Sequence, residues 1–188
     1  MRAVLFAIFV VLFNPIAEAL AADTAILQRL NEPRTHAIMR HALAPGTGDP
    51  ANFTLGDCTT QRNLSDRGRN QARAIGGAIR TAGVSVDRVL TSQWCRCAET
   101  ARLLDLGTVT AEPAVNSFFA DRSTAEKQTA AARDLLAAMP EDQTAILVTH
   151  QVNITALIDV FPQSGEVFVL KVAEDSRIDV LGSFLLTE

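Results

Sequence analysis

The sequence predicts an α/β fold, a three-layer sandwich with a mostly parallel central sheet flanked by helices, on three observations. Strand-like and helix-like segments alternate along the chain, the pattern that builds parallel sheets from crossover units. One segment, Thr144 to Thr149 (TAILVT), is an almost unbroken apolar run of the kind found in strands covered on both faces. Reactive side chains follow three of the strand-like segments, where open α/β sheets bind their ligands.

The elements follow in order. Arg2 precedes an apolar run of eleven residues from Ala3 to Phe13, Pro15 breaks the run, and Ala19-Leu20-Ala21 offers small residues at the two positions a signal peptidase reads. Residues 1–21 are therefore expected to be a secretory signal peptide, cleaved after Ala21. The run is about half the ~20 residues a membrane-spanning helix needs, so no stable span is expected after cleavage. Residues 22–188 are then one domain, free of repeats and low-complexity segments. Thr35 to Met39 is a short strand after Pro33. Ser65 caps a helix whose Ala72, Ile75, Ile79 and Ala82 share one face. Val86 to Thr91 is a second strand and Cys95 to Leu104 a second helix. Ser123 with Glu126 forms a capping box opening a third helix, which runs to Met139 and stops at Pro140. Thr144 to Thr149 is the third strand, and residues 151–160 are helical. Glu166 to Val172 and Arg177 to Phe184 close the chain as a hairpin turning at Glu174-Asp175-Ser176. The connection from Ala42 to Asn63, rich in Pro, Gly and polar residues, is too long for a simple link and reads as a loop covering a site.

Composition narrows the function. The chain of 188 residues is 48% hydrophobic and 20% charged, with a net charge of −4. Without runs of Lys or Arg, it has no electrostatic reason to bind nucleic acid or an anionic membrane. Any anion must be recognised by a few local cations. Three strand ends supply them: Met39-Arg40-His41, Leu90-Thr91-Ser92 leading to Arg96, and Val148-Thr149-His150. Arginine forks suit phosphoryl oxygens because they donate paired hydrogen bonds and keep their charge. An imidazole can attack phosphorus when one ring nitrogen is pinned and the other is free, and a second histidine can stabilise the group in transfer. His36 has no such pattern and reads as a surface or strand-edge residue. Arg62, in the long loop, is a further candidate for contact with the phosphate.

These residues resemble the histidine phosphatase superfamily, of phosphoglycerate-mutase-like fold, and its small exported bacterial members of branch 1 in particular. The R-H-G signature is similar to Arg40-His41-Ala42, and L-[ST]-x-x-G-x-x-Q-A to Leu64 through Ala72. The S-x-x-x-R-A-x-x-T-A stretch is similar to Ser92 through Ala101, with Cys97 replacing Ala, and the strand-then-His motif to Val148-Thr149-His150. The motifs run over about residues 36 to 155. The resemblance implies His41 as nucleophile, Arg40, Arg96 and His150 around the phosphate, and no metal or organic cofactor. Gln151 stands where Gly is usual and could donate to a substrate oxygen or cap the helix that follows. The Glu that protonates the leaving group in mutase-like members would fall near Ser117. Asp121 is the candidate acid here, with Glu112 behind it; the alternative reading of Asp121 is a turn or cap residue just before the helix at Ser123.

The three cysteines have no Arg six residues on, which excludes the tyrosine-phosphatase loop, and they lack the ligand pairs of a zinc site. In an exported protein a disulfide fits best. Cys58 can reach either cysteine flanking Arg96, and Cys58–Cys95 is preferred because position 97 replaces a small, core-facing residue of the family. The expected protein is a monomeric, cofactor-free, periplasmic or secreted phosphomonoester hydrolase acting through phosphohistidine on a small phosphorylated molecule or envelope component. The alternatives are a catalytically silent phosphate-binding or interaction module of the same fold and, less favoured, a phosphomutase.

Overall fold

The structure, a computed structural model, describes residues 23–186, so the expected signal peptide lies outside the described residues. Six strands form one sheet: β1 (Thr35–Arg40), β2 (Arg88–Thr91), β3 (Val109–Ala111), β4 (Ala145–Thr149), β5 (Val167–Val172) and β6 (Ile178–Phe184). Their order is β3-β2-β4-β1-β5-β6. The pairs β2–β3, β2–β4 and β1–β4 are parallel, and β1–β5 and β5–β6 are antiparallel. Among the described residues, a helical segment at 23–28 opens the chain, and four further helices cover the sheet: α1 (Asp66–Thr81), α2 (Cys95–Leu104), α3 (Ala125–Ala137) and α4 (Gln151–Ile158).

The pleat explains the three layers. Side chains alternate across a strand, and here each alternate set finds its own helices. Ala37, Met39, Ile146 and Val148 pack with Ile75 and Ile79 of α1 and Ala101 and Leu104 of α2. Ile38, Leu90, Ala145 and Leu147 pack on the other face with Leu136 of α3 and Ile154 and Leu157 of α4. Every residue of β4 is buried, as its unbroken apolar run requires.

Three elements differ from the sequence reading. β3 is an extra strand, three residues long and mostly exposed at the sheet edge, where the alternation Val109-Thr110-Ala111 is too short to mark it. The second strand begins at Arg88 rather than Val86. The capping box at Ser123 does not form. Asp121 instead caps a 3-10 turn (Arg122–Thr124) by accepting from the Ser123 N–H at 3.0 Å, and α3 starts only at Ala125.

α1 and α2 meet backbone to backbone at Gly76, where an added Cβ would stand 1.9 Å from the Leu104 carbonyl oxygen. Gly76→Ala is expected to force the helices apart and destabilise the fold by about 3 kcal/mol. Its neighbour Gly77 meets nothing within 4 Å. Gly77→Ala is therefore expected to stabilise by about 0.5–1 kcal/mol through helix propensity alone. Urea unfolding of the two variants checks the pair, and equal shifts would refute the close approach.

Candidate active site

β2, β4 and β1 are parallel neighbours, so the residues following them emerge on one edge of the sheet. The His41 N–H donates to the Thr149 carbonyl at 2.9 Å and the Ser92 N–H to the Val148 carbonyl at 3.0 Å. These bonds set His41, His150 and Ser92 in one row, and the two histidines line a cleft of about 360 Å³. Gly46 to Pro50 and Phe53 of the long loop form one wall, so that loop does cover the cleft.

His41 is 2% exposed. Its Nδ1 lies 2.8 Å from its neighbour's carbonyl, that of Ala42, which can only accept, so Nδ1 carries the proton and Nε2 the lone pair. The Arg96 Nε–H donates to that same Nε2 at 3.2 Å, which requires the same tautomer. Burial, then the Arg96 charge, pushes the imidazole pKa down to about 3, so the ring is neutral at physiological pH. Alanine at position 42 fits without strain: it is fully buried and its N–H donates to Thr100 Oγ1 at 3.1 Å.

Arg96, in the first turn of α2 and 3% exposed, has a partner for each of its five N–H donors. Nε serves His41. Nη1 donates to Asp49 Oδ1 at 2.7 Å and to the Arg62 carbonyl at 3.4 Å, while Nη2 donates to Asp49 Oδ2 at 3.2 Å and to His150 Nδ1 at 3.4 Å. Asp49 is the residue that sequence reasoning missed. It also accepts from the Arg62 N–H at 3.1 Å and from Trp94 Nε1 at 3.0 Å. Despite partial burial, those bonds and the Arg96 charge hold its carboxyl below the usual range. Nothing marked Asp49 in advance, since an Asp in a Gly-Asp-Pro loop reads as turn chemistry.

His150 takes the opposite tautomer to His41. Arg96 needs a lone pair at Nδ1, so Nε2 carries the proton and donates to Ser92 Oγ at 2.8 Å. Ser92 in turn donates to Asn116 Oδ1 at 3.3 Å. Burial, with His41 and the three arginines around it, places its pKa well below the ordinary value. The two rings stand edge to face, 5.6 Å between centroids.

Arg40, Arg62, Ser117 and Gln151 also line the cleft. Arg40 donates from Nη1 to the Pro162 carbonyl at 3.1 Å, while its buried Nε has no partner among the described residues. Arg62 is fixed to the loop by bonds to the carbonyls of Gly48 and Ala44. Gln151 Nε2 donates to Thr155 Oγ1 at 2.8 Å, one turn along α4. Asp121 and Glu112 are not brought to the cleft. Each is the cap of a 3-10 turn, Asp121 holding Ser123 and Glu112 holding the Ala114 N–H. His36 is not at the surface either: it is 1% exposed, and its Nδ1 accepts from the Ala145 N–H at 3.3 Å.

Cys58 and Cys95 form a disulfide, the pairing preferred from sequence, and Cys97 is free and buried. The bond ties the long loop to the start of α2, one residue before Arg96. No group of three or more His, Cys, Asp or Glu residues is placed to hold a metal ion among the described residues.

Residues 37–126 match the sequence family described as the histidine phosphatase superfamily (branch 1). No protein of curated function matches by sequence. Among solved structures, the chain is similar to the protein histidine phosphatase SixA complexed with tungstate (TM-score 0.60, 15% identity, 80% of this chain and 96% of that one). It is similar also to a mycobacterial glucosyl-3-phosphoglycerate phosphatase (TM-score 0.56, 17% identity, 78% and 96%). A third similar structure is the phosphoserine phosphatase of Entamoeba histolytica (TM-score 0.57, 12% identity, 81% and 97%). At these identities the likeness is one of fold. The chain thus carries a segment matching the histidine phosphatase superfamily (branch 1), residues 37–126, within a fold that solved phosphatase structures share.

Proposed function

We propose that this protein is an exported phosphomonoester hydrolase that works through a phosphohistidine at His41. The observation that carries the reading is the state of His41: buried, neutral, pinned at Nδ1, with the Nε2 lone pair facing into a cleft that holds Arg40, Arg62 and Arg96. A phosphoryl group needs positive charge around its three equatorial oxygens and an in-line nucleophile. Nε2 attacks phosphorus, the N–P bond forms as the P–O bond breaks, and the leaving oxygen departs with the bonding pair. Water then attacks the phosphohistidine, giving inorganic phosphate and restoring the neutral ring.

In the resting cleft that lone pair accepts from Arg96, and the Arg96 fork is held by Asp49. An arriving phosphoryl group takes over N–H donors of Arg96, turns the guanidinium and uncovers Nε2. His150, beside Arg96, gains a phosphate neighbour that raises its proton affinity, and once protonated it donates to a phosphoryl oxygen. The Cys58–Cys95 bond suits the oxidising setting that the expected signal peptide implies, periplasmic or secreted. A small phosphorylated molecule or envelope component fits the cleft, and nothing in the reaction calls for a cofactor.

The test is to trap the intermediate. Rapid quenching into alkali during turnover of an aryl phosphate is expected to leave one phosphoryl group on the peptide carrying His41, lost on acidification. Saturable phosphate binding without turnover or a trapped phosphoryl group would instead identify a silent phosphate-binding module.

A further inference from the structure

We propose that the substrate's leaving group is aromatic and weakly basic, so that the natural substrate is an aryl phosphate monoester. This rests on the phosphatase reading above and deepens it with two independent features of the cleft. The first is its rim. Four large hydrophobic side chains are exposed among the described residues, and two of them, Phe119 (47%) and Phe161 (74%), line this one cleft. Scattered apolar side chains on a surface are ordinary, but two aromatic rings beside a cationic floor form a patch with a use. Phe53, stacked on Trp94 with centroids 5.1 Å apart, extends the apolar wall inward. Rings of this kind hold another ring by stacking or edge contacts.

The charges agree. Three arginines and Asp49 are the charged side chains that line the cleft. With both histidines neutral the floor carries two net positive charges, enough for a phosphomonoester dianion. No further cation or acid is left to recognise a carboxylate, an amine or a second phosphate on the leaving group.

The second feature concerns the proton. Asp121 and Glu112 cap turns away from the cleft, and Asp49 is held by Arg96, Trp94 and the Arg62 backbone. None of the three is placed to protonate a departing oxygen, and the proton His150 takes up when phosphate binds is committed to a phosphoryl oxygen, not to the leaving group. An aryl oxide, with a conjugate acid of pKa about 10, leaves without that help. An alkoxide, nearer the pKa of water at about 15.7, does not. The rim and the missing donor thus select the same chemistry: the P–O bond breaks with both electrons passing to an aryl oxide, which takes its proton from water afterwards.

Three substrates separate the two features. Phenyl phosphate offers a ring and a weakly basic leaving group, cyclohexyl phosphate a body of similar size with an alkoxide leaving group, and acetyl phosphate a weakly basic leaving group without a ring. For the purified protein, kcat/KM for phenyl phosphate is expected to exceed that for cyclohexyl phosphate by about 100-fold or more, the usual worth of a general acid. Phe119→Ala and Phe161→Ala are each expected to raise KM for phenyl phosphate about fivefold and to raise it less for acetyl phosphate. Cyclohexyl phosphate turned over within threefold of phenyl phosphate would overturn the inference while leaving the phosphatase reading standing. Equal KM shifts for phenyl and acetyl phosphate in both variants would do the same. Failure to turn over any of the three would overturn the phosphatase reading and this inference with it.

Discussion

His41→Ala is expected to abolish hydrolysis, lowering kcat by on the order of 10^4-fold or more, as removal of a covalent nucleophile does elsewhere. The side chain is pinned at Nδ1 by the Ala42 carbonyl and faces Arg96 with Nε2. His150 is only 5.6 Å away between centroids, but its protonated Nε2 is turned to Ser92 and its Nδ1 to Arg96. The fold should survive, because the ring's single backbone bond is to its own neighbour. Circular dichroism and the unfolding midpoint serve as controls beside a steady-state assay with phenyl phosphate. Activity within a hundredfold of wild type would remove His41 from the mechanism.

Arg96→Ala is expected to lower kcat/KM by about 10^3- to 10^5-fold, the range seen when an arginine that stabilises phosphoryl transfer is lost. The reason lies in the bond count. A single guanidinium holds Asp49 by both carboxylate oxygens, touches His41 through Nε and reaches His150 through Nη2. Its loss also leaves Asp49 without its ion pair. Arg96→Lys separates charge from geometry. A lysine restores the charge but has no planar fork, so it is expected to recover no more than about tenfold of the lost rate. Recovery to near wild type would mean that charge alone matters there and that the fork is incidental.

Much of this could be read from the chain. The Arg40-His41 pair, Ser92 and Arg96, and Thr149-His150 were legible because each follows a short apolar strand, and parallel neighbours must present such ends on one edge. The fold was legible for the same reason: β4 is apolar throughout, and α1 carries its apolar residues on one face. What stayed hidden depends on three-dimensional pairing. Asp49 sits in a loop whose composition speaks only of turns, and its partner lies 47 residues further along. Asp121 drew attention as an acid because a carboxylate before a helix looks the same in sequence whether it caps or catalyses. His36 looked superficial because a polar residue in a strand normally faces water, yet β1 is covered on both faces. The short edge strand β3 pairs only with β2, and its three-residue alternation is too brief to stand out.

The strand order has a kinetic consequence. Arg96 meets His41 across 55 residues of chain and His150 across 54, and those two histidines meet only when β1 has paired with β4. Helices α1 to α4 can form locally in microseconds, whereas such distant parallel ladders close late because loop-closure entropy must be overcome first. The site is therefore not born with the chain. Until β1 has paired with β4, His41 and His150 are not side by side and Arg96 does not span them, so the proposed phosphoryl chemistry waits on that pairing.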